Sequence, residues 1–276
     1  MTTQQEKAAH FSALHRQEGA FVIANAWDAG SARLLAELGF SALATSSGAS
    51  ANVLGRCDGQ VTRDEALSMA RSIVLATNLP VSADLEKGFA DAPADVAETI
   101  RLAADAGLAG CSIEDATGDP ARPIYDLDFA AERIAAAARA ARSLDVPFTL
   151  TARAENYLHG NPDLADTIAR LQAFEAAGAD VLFAPGLPDL DAVRAVCRAV
   201  SRPVNFMAAI RGRSFSVAEL EAAGVRRISL ATSLYRAAMT GLFHAAQEVR
   251  EQGTFAYLDQ ILDSGQLLRR MGISSS

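Results

Sequence analysis

Four times in this chain an alanine-rich segment ends in a glycine and an apolar run follows at once. The pattern reads Ala36-Glu37-Leu38-Gly39 before residues 41–47, Ala104-Asp105-Ala106-Gly107 before 110–115, Ala176-Ala177-Gly178 before 180–184, and Ala222-Ala223-Gly224 before 227–231. A glycine just past a helix closes it in a left-handed conformation, and the apolar run behind it enters a buried strand. Three further helical segments end at Leu79-Pro80-Val81, Val146-Pro147-Phe148 and Arg202-Pro203-Val204. Proline stops the helix there and starts the strand. With the first apolar run at 21–27, the chain holds eight strand candidates. The segments between them have helical periodicity. Within 95–106, Val96, Ile100, Leu102 and Ala103 fall on or near one side, with Glu98, Arg101 and Asp105 elsewhere, and 128–143 and 163–177 behave alike.

Near-continuous apolar strands, each followed by a helix, predict an α/β fold of the closed (β/α)8 TIM-barrel type. A doubly wound open sheet is the alternative, but no Gly-x-Gly-x-x-Gly follows any strand to support it. A length of 276 residues suits one barrel, and no linker or low-complexity stretch divides it, so residues 1–276 are expected to form a single domain. Residues 1–18 read as a preceding helix. Two helical segments follow the eighth strand, 234–251 and 255–270, the second extra to the barrel. Leu234, Ala238, Leu242, Ala245 and Val249 make a stripe longer than one barrel helix needs. It packs either on its own barrel or on a partner subunit.

Composition narrows the function. A net charge of −8, with no run of Lys or Arg, argues against nucleic acid as a partner. No apolar run reaches the ~18 residues that suggest a membrane span. Cys57, Cys111 and Cys197 show no metal-type spacing, and Met1-Thr2-Thr3-Gln4-Gln5-Glu6-Lys7 lacks the blocks of a secretory signal. A soluble, cytoplasmic protein is expected.

Three of the apolar segments end in charges: Val81-Ser82-Ala83-Asp84-Leu85-Glu86, Cys111-Ser112-Ile113-Glu114-Asp115 and Thr149-Leu150-Thr151-Ala152-Arg153-Ala154-Glu155. In a barrel these ends form one rim, where active sites lie. Asp84 and Glu86 are two apart and so face the same way along a strand, and Glu114 reaches the same volume from the next. Three carboxylates without a histidine favour Mg2+ or Mn2+ over zinc. Ion pairing with Lys87 or a rim arginine is the competing reading. The planar fork of Arg153 suits a carboxylate or phosphate, or else a structural salt bridge to Glu155 or Glu114. Thr45, Ser46, Ser47 and Gly48 form a small-residue loop whose N–H groups could hold an oxyanion. Asn205, ending the seventh strand, offers an amide to a substrate oxygen or is a satisfied core group. His10, His15 and His244 lie on terminal helices without evident chemistry, and His159 lies in a loop near the rim.

Taken together, the motifs resemble the isocitrate lyase/phosphoenolpyruvate mutase superfamily. They are Asn25-Ala26-Trp27-Asp28, the Ser-Gly loop, Leu54-Gly55-Arg56-Cys57-Asp58, Ala83-Asp84-Leu85-Glu86, Ile113-Glu114-Asp115 and Thr151-Ala152-Arg153-Ala154-Glu155. The resemblance implies a barrel that binds Mg2+ (Mn2+ is possible) and a small 2-oxo acid such as pyruvate, oxaloacetate or 2-oxoglutarate. It also implies homodimers or homotetramers that exchange their eighth helix. Asp84 then corresponds to the direct metal ligand, with Glu86, Glu114 and Asp58 acting through metal-bound water. Trp27, Thr45, Ser46, Ser47, Gly48, Asp84, Arg153 and Asn205 correspond to substrate contacts. Arg153, Glu114 and Asp58 are the catalytic candidates. Glu86 stands where many members have aspartate.

The implied chemistry cleaves a C–C bond beside a 2-oxo acid, with Mg2+ and Arg153 stabilising the enolate. The lyases' Lys-(Lys/Arg)-Cys-Gly-His loop is replaced here by Ala116-Thr117-Gly118-Asp119-Pro120-Ala121-Arg122-Pro123-Ile124-Tyr125. Arg122 occupies about the cysteine position. It either holds a second substrate carboxylate or is a solvated loop residue. The expectation is a Mg2+-dependent lyase or decarboxylase acting on a small 2-oxo or 2-hydroxy di- or tricarboxylic acid. Phosphonopyruvate-type P–C chemistry, or 2-oxo-acid binding with little turnover, are the alternatives.

Overall fold

The structure, a computed structural model, describes residues 2–273. Helix α1 (Gln4–Leu14) comes first, and the eight strands then alternate with helices. In order they are β1 (Phe21–Asn25), α2 (Ala29–Glu37), β2 (Leu43–Ala44), α3 (Ser47–Val53), α4 (Arg63–Ala76), β3 (Val81–Asp84), α5 (Pro93–Asp105), β4 (Gly110–Glu114), α6 (Leu127–Arg142) and β5 (Thr149–Arg153). There follow α7 (Leu164–Ala176), β6 (Val181–Phe183), α8 (Leu190–Ala199), β7 (Val204–Met207), α9 (Val217–Ala222), β8 (Arg227–Ser229) and α10 (Ser233–Gln252). Every neighbouring pair of strands is parallel, and β8 closes onto β1 through the Phe21–Arg227 register. The fold is the (β/α)8 barrel that the glycine pattern predicts. Gly39, Gly107, Gly178 and Gly224 all take the left-handed backbone of a helix C-terminus, at φ 86°, 90°, 104° and 102°.

The main core lies between barrel and helices. It is built from outward strand residues such as Leu43, Val81, Ile113, Leu150 and Leu182 against helix residues such as Ile100, Ile134 and Phe174. A smaller core seals the N-terminal end of the barrel, where Ala8, Phe11 and Leu14 of α1 meet Phe21, Ile23, Ala42 and Ala109. This leaves the C-terminal rim as the open end. Gly110 is the tightest point of the seal, since a Cβ there would lie 2.4 Å from the Thr149 carbonyl and 3.1 Å from the Phe11 ring.

One expectation changes, and one open alternative narrows. Residues 255–270 are not one helix: Gly253 closes α10 at φ 66°, a 3-10 turn spans Ala256–Asp259, and Asp263 caps a separate short helix, α11 (Ser264–Arg270). The α10 stripe does not pack on its own barrel either. No residue of α10 is buried, and Leu242 and Phe243 are 60% and 61% exposed. Only Leu234, at its start, touches the core.

Gly110→Ala should lower stability by roughly 1–3 kcal/mol, because the neighbours are backbone and a ring edge that cannot turn away. Urea denaturation of the two proteins measures the difference.

Candidate active site

Strand alternation turns Asp84, Glu114 and Arg153 toward the barrel axis at the ends of three adjacent strands, with Glu114 directly in register with Arg153. Arg153 is the hub. Its Nη1 lies 2.8 Å from Asp84 Oδ1 and 3.3 Å from Glu114 Oε2, while Nε donates to Glu155 Oε1 at 2.8 Å. Its guanidinium also stacks 5.2 Å from the Phe183 ring centroid. The two readings of Arg153 are therefore not exclusive, because the salt bridges are what hold the fork in place. Lys87 neutralises none of these acids. It pairs with Asp91 at 2.6 Å and donates to the Thr117 carbonyl at 2.8 Å.

Glu86 reaches the site by a different route from the expected one. Strand β3 stops at Asp84, and Glu86 sits in the left-handed region at φ 50°. For a non-glycine residue this costs on the order of 1–3 kcal/mol and needs support from its surroundings. The support is Arg133, buried and unexpected from the sequence. Its fork donates to the carbonyls of Lys87, Ala90, Asp91 and Glu114, and it stacks on Tyr125. One arginine thus ties the segment that carries Glu86 to the end of β4 that carries Glu114. A second network anchors Glu155. Its N–H donates to Asp115 Oδ1 at 2.8 Å, and Asp115 pairs with Arg170 at 3.0 Å.

Asp58, Glu86, Glu114 and Glu155 share a cavity of about 590 Å3 with Ser47 and Arg153, and Asp84 lies behind it against Arg153. Crowding is written into their acidities. Burial, then the charges of Asp84 and Asp58, push Glu86 up to about 7. Burial, with Glu155, Asp84 and Glu86 nearby, raises Glu114 well above the usual range against the pull of Arg153. Burial and the Asp84 charge raise Asp58. Asp84 alone moves the other way: burial pushes it up, but Arg153 and hydrogen bonds from Ser47 and Glu86 outweigh this. Five carboxyl groups around one guanidinium make the cavity a place for a cation.

Among the described residues, no three Asp, Glu, His or Cys side chains converge closely enough to enclose a metal. The acidic donor set around the cavity is all oxygen, which suits a hard divalent cation. Asp84, ionised and central, would hold the ion, with Glu86, Glu114 and Asp58 around it.

The other candidates divide. Ser47 donates through Oγ to Asp84 Oδ2 at 3.2 Å. Gly48 is required by close approach, since a Cβ would lie 3.2 Å from Asp58 Oδ2 and 3.0 Å from Thr232. Thr45 accepts the Asp84 N–H at 3.0 Å, and Ser46 caps α3 by accepting from Ala49, so both hydroxyls are already engaged. Asn205 is the satisfied core amide, accepting from Arg227 at 2.8 Å and donating to Ser229 at 3.0 Å. Trp27 is not among the residues lining the cavity and packs edge-on to Tyr235, 5.5 Å between centroids. Arg122 is exposed and outside the cavity lining, because Thr117 and Asp119 fold its loop into a tight turn. Thr117 and Gly118 of that loop, with Leu158 and His159 after β5, line the cavity instead. His15, set aside in the sequence, is 5% exposed and borders Arg227. The pair Arg226-Arg227 in an apolar strand was the overlooked signal, since alternation must turn one of two adjacent arginines inward.

The phosphoenolpyruvate phosphomutase family matches residues 11–250. A crystal structure from Burkholderia cenocepacia, described only as a lyase/mutase, shares 54% identity over 96% of this chain and 95% of that one, with TM-score 0.94. The 2-methylisocitrate lyase of Escherichia coli is 30% identical over 88% of this chain and 84% of its own. Oxaloacetate decarboxylase 2 of Pseudomonas putida is 31% identical, covering 82% and 75%.

Arg153→Met should destabilise the fold by about 3–5 kcal/mol at neutral pH, because it strands Asp84 and Glu155 as buried charges. Chemical denaturation detects it, and the loss should shrink in acid as the carboxyls take up protons. For Glu86, the folded protein keeps a proton that the unfolded chain releases between about pH 4.5 and pH 7. Its contribution to stability therefore falls as pH rises through that window. Glu86→Gln should make the decline of urea stability across the window shallower than in wild type, in metal-free buffer.

Proposed function

The chain belongs to the phosphoenolpyruvate phosphomutase family, within the isocitrate lyase/PEP mutase superfamily, and we propose that it is a Mg2+-dependent carbon–carbon lyase or decarboxylase. Its substrate on this reading is a small 2-oxo or 2-hydroxy di- or tricarboxylic acid, cleaved through an enolate. The observation that carries the proposal is the Arg153 fork, fixed between Asp84 and Glu155 at 2.8 Å each beside a carboxylate-lined cavity. Relatives named for 2-methylisocitrate and oxaloacetate support the substrate class.

Breaking a bond to the carbon next to a 2-oxo group sends an electron pair onto the 2-oxo oxygen. Arg153 already points a charged donor into the cavity, so it stabilises that oxygen without reorganising at the moment of reaction. When bound at Asp84, with Glu86, Glu114 and Asp58 around it, the divalent ion supplies Lewis-acid stabilisation of the same charge. Ser47 and Gly48 receive the substrate carboxylate, with the Gly48 backbone left open by its missing side chain. Glu155 and the Asp115–Arg170 pair keep Arg153 from swinging out with the product. Thr117 and His159, which line the cavity where Arg122 does not, face the departing half of the substrate.

The uncovered apolar face of α10 supports exchange of that helix with a second copy, giving a homodimer or homotetramer. A cytoplasmic setting is supported by three free cysteines and by the absence, among the described residues, of a helix long and apolar enough to cross a membrane. The family's own name favours one second reading, P–C bond chemistry on phosphonopyruvate.

Oxaloacetate and 2-methylisocitrate, assayed for pyruvate release, and phosphonopyruvate, assayed for pyruvate or phosphoenolpyruvate formation, each with Mg2+, separate these. The lyase reading expects turnover of a C–C substrate, abolished by EDTA and lowered about 10²–10³-fold in kcat/KM by Arg153→Ala. Turnover of phosphonopyruvate alone would replace it with the second reading. Binding of pyruvate with no turnover of any substrate would make the protein a 2-oxo-acid binder.

A further inference from the structure

Beneath the rim the barrel interior encloses a second, narrower cavity of about 60 Å3, bordered by Asp84 and Arg153 and, toward the closed end, by Asn205 and Arg227. Arg227 lies at the start of β8, in register with Phe21, and is 5% exposed. Its Nε donates to Asn205 Oδ1 at 2.8 Å, and Nη1 lies 3.5 Å from His15 Nε2. His15 bonds the Phe11 carbonyl through Nδ1 at 2.8 Å, so Nδ1 carries the proton and Nε2 accepts. Burial, with Arg227 beside it, drives His15 down to about 3, so the ring is neutral. Burial and the Arg153 charge lower Arg227 only to about 9, which leaves it a cation at neutral pH.

That cation has no counter-ion. None of the ion pairs among the described residues involves Arg227. Asp84, the acid that borders the same cavity, is already taken by Arg153, Ser47 and Ser112. A second group is also unsatisfied. Thr151 precedes Arg153 by two residues and so faces the same interior; it is fully buried, and its Oγ1 has no partner. Its neighbour across the strand pair, Ser112, lines the cavity, as does Ser82. The interior therefore holds an uncompensated charge and a surplus of donors. Water could fill the volume but would neutralise nothing.

We propose that this inner cavity is an anion site, in which Arg227 and the hydroxyls of Ser82 and Thr151 hold a small monoanion. The occupant is a halide or the carboxylate of a small organic acid. The site shares Asp84 and Arg153 with the rim but none of Asp58, Glu86 and Glu114, and it needs neither the divalent ion nor the reaction proposed above.

Crystals of the wild-type protein soaked in sodium bromide without divalent metal, measured at the bromine edge, test it directly. An anomalous peak within hydrogen-bonding range of the Arg227 guanidinium is expected, and its absence overturns the proposal. A second soak adding pyruvate distinguishes the sources: loss of the peak identifies a carboxylate as the occupant, and its persistence identifies an inorganic anion. In solution, bromide should raise Tm by about 2–4 °C over an equal ionic strength of gluconate, which is too bulky to enter. Arg227→Met should abolish that difference, and an equal rise in the variant would contradict the assignment. If the variant does not fold, the wild-type bromide map decides alone.

Discussion

The Arg153 guanidinium lies 2.8 Å from Asp84, 2.8 Å from Glu155 and 3.3 Å from Glu114, almost out of contact with water. A buried charge of this kind is stable only when its partners are as well fixed as it is. Much of the structure around the rim serves that condition. Glu155 is held through Asp115 and Arg170, and Glu114 and the Glu86 segment are held through Arg133. Asp84 is held from the other side by the Ser47 hydroxyl. The arginine is thus both the keystone of the rim and the donor the chemistry requires.

The same arrangement makes the cavity electrostatically suited to a cation. Arg153 compensates Asp84, whose acidity is strengthened, while Glu86, Glu114 and Asp58 are all weakened by burial and by one another. A divalent ion at the centre relieves that repulsion. Carboxylates left short of positive charge in the free protein are a store of binding energy for it.

Much of this was legible in the sequence, for identifiable reasons. Gly39, Gly107, Gly178 and Gly224 marked the helix ends because a left-handed residue after a helix is a local requirement, independent of tertiary structure. Asp84, Glu114 and Arg153 stood out because charges at the ends of apolar strands have few other uses. What was not legible depends on partners distant in the chain. Glu86 was placed on the right side by the wrong geometry, since its left-handed backbone is enforced by Arg133, 47 positions later. Asn205 could be seen as satisfied only once Arg227 and Ser229 were beside it. Arg122 matched a motif position, but a turn closed by Thr117 and Asp119 carries it away from the cavity. The α10 stripe shows the limit from the other direction. Its periodicity announced an apolar face, and periodicity cannot say whose surface covers it.

On the proposed function, the rim is complementary to an enolate rather than to a ketone. Oxalate is planar and dianionic like the enolate of pyruvate, and a site built for the developing charge binds such a mimic more tightly than the substrate form. Calorimetric titration with Mg2+ present should give oxalate an affinity at least about 10²-fold above that of pyruvate. Arg153→Ala should remove most of that advantage. Equal affinity for the two ligands, or an oxalate preference untouched by the loss of Arg153, would contradict the account.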